Sequence, residues 1–248
     1  MIVRLNRYLS MCGITSRRKA DDLIKNSKVI INGHLVNELG YRVDTANDRI
    51  EISGKSVRVE ERRYLLLNKP KLYLTSLGED KDGKKTIAEL IKDVPERVYP
   101  VGRLDYDAEG LLILTNDGGL ASRILHPRYE LPKVYTALVK GTVSGKTLEE
   151  MVNGTLLEDG PANPDAIRLL RYEDKNSVLE IEFHEGRNRL VKRFFARFNY
   201  PVLKLKRIRV GPIKIGKLRK GSWRDMTESE ISSLKKAVNF DRDKRANI

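Results

Sequence analysis

The stretch KVIINGHLV, residues 28–36, imposes a pairing on the chain. Two apolar runs flank Asn32-Gly33, and an Asn-Gly pair supplies the two left-handed residues of a tight antiparallel turn. A hairpin of this kind must have its apolar face covered, and the residues before it provide the cover. RLNRYLSMCG (4–13) sets Leu5 and Leu9 one helical turn apart and ends at Gly13. SRRKADDLIKN (16–26) predicts a helix capped by Ser16, with Ala20, Leu23 and Ile24 as its apolar stripe. RIEISGKSVRV (49–59) alternates and reads as one closing strand. Residues 1–60 thus form a small unit ordered helix, helix, hairpin, strand. Arg4, Arg7, Arg17, Arg18 and Lys19 lie on or beside its helices.

The boundary falls at EERRYLLLNKP, where charge gives way to a buried-strand run, Tyr64 to Leu67. Residues 73–85 are polar and read as a loop, and KTIAELIKDV as a short amphipathic helix with Ile87, Leu90 and Ile91 on one face. GGLASRILHP predicts a helix, KVYTALVKG a strand, and SGKTLEEMVNG a helix capped by Ser144. Leu179, Ile181 and Phe183 recur at strand period. Val191, Phe194, Phe195 and Phe198 recur at helical spacing in RLVKRFFARF. The remainder is strand-like to about Arg219, with a short helix from Ser229. The expected class is α+β, a small N-terminal unit followed by a mixed, mostly antiparallel sheet.

Charge narrows the range of partners. The chain of 248 residues carries 48 Lys and Arg against 34 Asp and Glu, a formal net charge of +14. Residues 187–220 alone hold 13 of those cations and no acid. Arg189, Arg193 and Arg197 recur every four residues, away from the aromatic stripe, and Arg187 precedes them. An ordinary solvated helix mixes signs and gains i, i+4 pairs. A cationic row without acids points to a polyanion, RNA or DNA. Cys12 is the only cysteine, and His34, His126 and His184 have no metal-ligand spacing, so neither a disulfide framework nor a metal centre is expected. His126, before Pro127, suits a capping or packing role. There is no phosphate-binding glycine loop, no signal-peptide core and no run of 18 apolar residues, which leads to an expectation of a cytoplasmic protein without a nucleotide cofactor.

YPVGRLDYDAEGLLILTNDG (99–118) is the chemically dense segment. Arg103, Asp105, Asp107 and Glu109 crowd a stretch that leads into a buried strand. Solvated loop acids or a helix cap would be the plain reading of any single such tripeptide. Here the position, between VYPV and GLLILT, puts Arg103 and Asp105 at the mouth of a sheet, where a cleft can hold them.

SRRKADDLIKNSKVIINGHLV resembles the S4 RNA-binding domain, and PVGRLDYDAEGLLILTNDGGLASRILHP resembles the signature of the RsuA/RluB family of rRNA pseudouridine synthases. YLLLNKP, KVYTALVKG and HEGRNRLVKRFFARFNYPVLKLKRIRVGPI match further blocks in order, so the resemblance covers almost the whole chain. It implies an isomerase that detaches uracil from its ribose, turns it and rejoins it through carbon 5. It also implies an S4-like domain at 1–60, a catalytic domain at 61–235 and a basic, polar tail at 236–248. Asp105 matches the family's essential aspartate, a carboxylate nucleophile or a base near the sugar. Either role needs the ionised form, which a nearby cation favours. Lys192 matches the ion-pair position, with Arg193 as the alternative. Tyr135 matches the stacking tyrosine of K-x-Y, Val191 an apolar pocket position, and Arg103 is placed to fill the stack that a flipped base vacates or to hold the flipped strand. Asp107 and Glu109 are read as solvated or as electrostatic supports. The resemblance implies ribosomal RNA or an assembling ribosomal subunit as partner, a monomer, and no metal or other cofactor.

This sequence departs from the family pattern at Ala108, usually Thr; at Leu190, usually Gln or Glu; and near Leu72, often Gly. The large-subunit (23S) rRNA enzymes are the nearer match. A small-subunit (16S) enzyme and a non-catalytic ribosome-assembly factor are the alternatives, the latter opposed by the joint presence of Arg103, Asp105 and Tyr135. Tyrosyl-tRNA synthetases and methyltransferases with S4 domains carry nucleotide-binding signatures that this sequence lacks.

Overall fold

A computed structural model describes residues 1–26 and 28–240. The chain divides into two compact units, Met1–Arg63 with Val94–Arg97, and Tyr64–Asp93 with Val98 onward.

The first unit begins with a short strand, β1 (Ile2–Arg4), followed by α1 (Leu5–Met11) and α2 (Arg17–Lys25). The Ser16 side chain accepts from the Lys19 amide, capping α2 as its sequence predicts. The hairpin β2 (Val29–Ile31) and β3 (His34–Val36) turns on Asn32-Gly33, both at positive φ. β4 (Arg42–Asp44) pairs with β1, a contact that no periodicity in Met1–Arg4 announces. The alternating run 49–59 is not one strand. It breaks into β5 (Ile50–Ile52) and β6 (Lys55–Ser56), because Ser53 and Gly54 both adopt positive φ and close a second hairpin. Leu5, Leu9, Ala20 and Ile24 pack with Val29, Ile31 and Ile50 in one apolar cluster.

The second unit is built on a nine-stranded sheet. In chain order its elements are β7 (Tyr64–Lys69), β8 (Tyr99–Pro100), β9 (Glu109–Thr115), α3 (Gly118–Leu125), β10 (Lys133–Lys140), α4 (Gly145–Val152), β11 (Thr155–Leu157), β12 (Gly160–Ala162), β13 (Ala166–Glu173), β14 (Asn176–Phe183), α5 (Leu190–Arg197), β15 (Val202–Val210), β16 (Ile213–Lys214), β17 (Trp223–Asp225) and α6 (Glu228–Ala237). The sheet runs β13-β14-β10-β15-β9-β7-β17, with β16 on β15 and β8 on β9; β11 and β12 form a separate hairpin. Every pairing is antiparallel except β15 with β9. The architecture is the mixed, mostly antiparallel one expected from the sequence.

β7 is buried at all six positions, so it reads as a continuous apolar run rather than an alternation. The stripe predicted for α5 is real: Val191, Phe194 and Phe195 are buried, and Phe183 meets Phe194 edge-on at 5.6 Å. Burying each such side chain contributes about 1.5–3 kcal/mol. KTIAELIKDV forms only a 3-10 turn, Ile87–Leu90, closed by a Thr86/Glu89 capping box. Asp93 and Pro95 follow closely, and a residue near proline disfavours helix continuation. Val238 and Phe240, which the sequence reading assigns to the tail, are buried in the core beside Leu120 and Leu234. Residues 241–248 of that tail lie outside the described residues. Among the described residues no helix is long and apolar enough to cross a membrane.

Candidate active site

The segment between β8 and β9 has no regular structure, yet it is tied at four points. The Thr75 hydroxyl donates to the Leu104 carbonyl at 2.7 Å and accepts from the Leu104 amide at 3.1 Å. The Leu72 amide donates to the Tyr106 carbonyl at 2.7 Å, and the Ala108 amide to the Asp105 carbonyl at 3.1 Å. The fourth tie is Lys69, the buried last residue of β7. Its ammonium donates to the carbonyls of Ala108, at 2.9 Å, and Pro70, at 3.0 Å. Burial pushes the Lys69 ammonium down to about 8, opposed by the charges of Asp105 and Asp107 and reinforced by Arg207. Its only sequence signal is a lysine ending a strand that is otherwise apolar apart from Asn68.

Gly110 sets where this segment meets β15. It has φ +114, and a Cβ there would stand 2.7 Å from the Arg207 amide nitrogen and closer still to the Arg207 carbonyl oxygen. Only glycine permits that approach of β9 and β15.

Asp105 is half-buried in the loop, and the Lys192 ammonium stands 3.4 Å from its Oδ2. The same ammonium makes a closer hydrogen bond to Asp107 Oδ1. Arg189 reaches to 4.0 Å of Asp107. Asp107 is therefore not merely solvated: burial disfavours its charge, but the hydrogen bond and charge of Lys192 prevail and hold its carboxyl below the usual range. Glu109 is likewise engaged, with Lys220 at 2.6 Å. Lys192 reaches the loop because the buried face of α5, including Val191, Phe194 and Phe195, leaves it at the helix margin. Of the two basic neighbours only Lys192 pairs with Asp105. Arg193 pairs instead with Asp159 at 2.7 Å.

That pairing also corrects the expected row of free cations. Arg187 is held by Glu185, at 2.5 Å, and by Asp159, at 2.8 Å. Acids absent from residues 187–220 are delivered from elsewhere in the chain. Arg189 is not within α5 but stands at its N-terminal boundary, at φ +49, while Arg197 is exposed. In the first unit Arg4, Arg7, Arg17, Arg18 and Lys19 are all exposed. His126 caps the turn that follows α3, accepting from the Arg128 amide.

A cavity of about 130 Å³ opens beside Asp105. Arg103, Asp105, Tyr135 and Val191 all line it, so the structure brings together four residues that the sequence suggested from three distant segments. Lys133 and Arg207 line it too. Sequence reasoning missed both. Lys133 stands in the K-x-Y block without an assigned role, and Arg207 is hidden among 12 other cations of residues 187–220.

Comparison with known proteins gives the family. Residues 63–197 match the RNA pseudouridylate synthase family, and residues 3–50 the S4 domain. An uncharacterised RNA pseudouridine synthase of Aquifex aeolicus is 59% identical over 238 residues, 96% of each chain. Ribosomal large subunit pseudouridine synthase B of Bacillus subtilis is 42% identical over 234 residues, 94% of this chain and 95% of that protein. A crystal structure of a pseudouridylate synthase, 30% identical, superposes with a TM-score of 0.65 and covers 94% of this chain and 99% of its own. The chain belongs to the RNA pseudouridylate synthase family, an isomerase with an S4 domain at its N-terminus.

Proposed function

We propose that the protein isomerises a specific uridine of large-subunit (23S) ribosomal RNA to pseudouridine, with Asp105 as the carboxylate that acts at the sugar. The observation that carries this reading is the meeting of Asp105 and Tyr135 on one small cavity, with the Lys192 ammonium 3.4 Å from the Asp105 carboxylate. Lys192 stands beside the Asp105 carboxylate, Tyr135 offers a flat face for the extruded base, and Arg103, exposed at the rim, fills the vacated stack. The Bacillus subtilis relative, named as a large-subunit enzyme, supports the choice of rRNA. Residues 1–60 act as an RNA-docking domain through Arg4, Arg7, Arg17, Arg18 and Lys19, and residues 61–235 carry the chemistry. Arg187, Arg189, Arg193 and Arg197 add phosphate contacts, with Arg187 and Arg193 first exchanging their carboxylate partners. The isomerisation conserves atoms and transfers no net electrons, so its chemistry calls for no cofactor; we place it in a monomer of the cytoplasm.

Carbodiimide mapping of rRNA from cells with and without the protein tests the substrate. Loss of one or a few pseudouridines from 23S rRNA supports it. Loss from 16S rRNA would move the assignment to the small subunit, and no loss would leave a binding factor. Purified Asp105→Asn should form no pseudouridine while retaining RNA affinity within about threefold, since phosphate contacts dominate affinity.

A further inference from the structure

We propose that Lys133 and Arg207 form a cationic cradle for the uracil base and hold the negative charge it carries while detached from its ribose. This rests on the isomerase reading above and assigns a chemical task to two residues that it leaves idle.

Lys133 and Tyr135 are two apart on β10 and so face the same side of the sheet, toward the cavity. Arg207 comes from the neighbouring strand, paired in register with Tyr135. A bulge in β15 next to this pair makes the cavity-facing positions Leu205, Arg207 and Val210, a spacing of two and then three. Arg209 is thereby turned away and pairs with Glu182 at 2.7 Å.

Each cation is oriented by one carbonyl. Lys133 Nζ donates to His184 O at 2.7 Å, and Arg207 Nε, only 6% of the residue being exposed, donates to Leu111 O at 2.8 Å. Among the described residues neither has a carboxylate within ion-pair distance. The two acids that line the cavity are taken, Glu185 by Arg187 and Asp105 by Lys192. Two neighbouring cations largely withdrawn from water without a counter-ion are costly, and an anionic occupant relieves that cost. Lys133 registers the strain. Burial and then the charge of Arg207 bring its ammonium down to about 8, against the opposing charges of Asp165 and Glu185.

The occupant is a base rather than a phosphate. The cavity, at about 130 Å³, has the size of a site for a single six-membered ring. Its walls include Val101, Leu104, Val191 and Leu205, which suit a flat ring with charged oxygens at its edge. When the N1–C1′ bond breaks, its electron pair leaves with the uracil, and the charge spreads over N1, O2 and O4. Both routes open to Asp105, attack at C1′ or proton removal from the sugar, release the base in this form. Re-bonding through C5 gives an electron pair to C1′ as the Asp105–C1′ bond breaks and frees the carboxylate or, in the other route, as the sugar proton is returned from Asp105; the C5 proton departs and N1 gains one, so atoms and electrons balance. Preorganised donors at a developing anion are the kind of interaction that lowers a barrier without tightening substrate binding.

The test is single-turnover isomerisation of rRNA by wild type, Lys133→Met and Lys133→Arg, with RNA affinity measured alongside and the rate followed from pH 6.5 to 10. Lys133→Met should slow the step by about 10²-fold, the size seen when one anion-stabilising donor is removed. Its RNA affinity should stay within about threefold. Wild type should lose rate above about pH 8, whereas Lys133→Arg, whose charge persists, should recover most of the rate and keep it. An unchanged rate in Lys133→Met, or a loss borne entirely by affinity, overturns the cradle. So does an alkaline limb in Lys133→Arg that coincides with that of wild type, which would assign the limb elsewhere, Lys69 included. If Lys133→Met fails to fold, the comparison of the Lys133→Arg and wild-type profiles decides alone. A wild type that makes no pseudouridine refutes the underlying reading; an active wild type matched by Lys133→Met refutes only this one.

Discussion

The Lys192 ammonium stands 3.4 Å from the Asp105 carboxylate, yet its shorter bond is to Asp107, two residues further along the same loop. One cation thus serves two carboxylates, and only the first of them lines the cavity. Asp107 seats the ammonium so that its charge lies beside Asp105 without a direct hydrogen bond. Asp105 thus lines the cavity with a cation beside it that bonds chiefly to its neighbour.

Lys192 and Asp107 should therefore respond differently to substitution. Lys192→Met removes the only cation paired with Asp105 among the described residues and should lower the single-turnover rate by about 10²-fold. In Asp107→Asn the amide oxygen still accepts from the ammonium and keeps it beside Asp105, so the rate should fall by less than about 10-fold. If Asp107→Asn is as damaging as Lys192→Met, Lys192 acts through Asp107 and the division of labour fails.

Gly110 is where fold and site are joined most rigidly. In Gly110→Ala the new methyl meets the backbone of Arg207, not a side-chain tip that could swing away. The φ of +114 adds backbone strain that an L-residue cannot relieve. We expect a loss of about 2–4 kcal/mol in unfolding free energy, read by urea denaturation. A variant within about 0.5 kcal/mol of wild type, the range typical of an unconstrained surface change, would show that β9 and β15 can part without cost.

Lys69 links stability to pH. Its ammonium is held at about 8 in the folded protein, against about 10.4 in an unfolded chain. Between those values the unfolded chain binds a proton that the native chain lacks, so the Lys69 contribution to stability rises with pH across that window. Below it, the buried charge is a constant penalty, partly offset by the carbonyls of Pro70 and Ala108. Lys69→Met removes the titration. The difference in unfolding free energy, wild type minus variant, should be flat below about pH 7 and move in favour of wild type from about 8 to 10.5. Cys12 and Tyr8, pushed up to about 11 and 12, titrate equally in both proteins and cancel from the difference. A difference that does not vary with pH would show that Lys69 is not the buried cation described here.

Local chemistry made much of this legible in advance. The Asn32-Gly33 hairpin, the Ser16 cap and the aromatic face of α5 follow from patterns within a few residues. What the sequence hid depends on contacts between distant strands. The bulge in β15 breaks the period of two, so Arg207 and Arg209 look equivalent in sequence and are opposite in space. Asp159 lies 34 residues from Arg193 yet neutralises it, which is why a run without acids overstated the free positive charge. Asp105 could be singled out by family resemblance; that Lys192 rests chiefly on Asp107 could not, because both acids occupy one irregular loop whose shape is set by Lys69, Leu72 and Thr75.

Leu72 carries the family departure with the clearest physical signature. It has φ +64, the left-handed region that glycine adopts most readily. For a residue with a Cβ this conformation costs about 1–2 kcal/mol, and Leu72 recovers little of it by packing, since 59% of it is exposed. Its amide is nonetheless needed, because it donates to the Tyr106 carbonyl between Asp105 and Asp107. Leu72→Asn keeps that donor and tolerates left-handed backbone better, so it should stabilise the second unit by about 0.5–1 kcal/mol, or a rise in Tm of roughly 1–4 °C. Leu72→Ile places a β-branch on the same strained backbone and should lower Tm. Both should leave the isomerisation rate within about twofold, because a change of backbone propensity that preserves the amide leaves the catalytic geometry alone. Opposite shifts in Tm at constant rate would establish that the strain is local and that the Leu72 amide, not its side chain, supports the loop. Equal shifts, or a rate that follows Tm, would place the Leu72 side chain in the support of Asp105 instead.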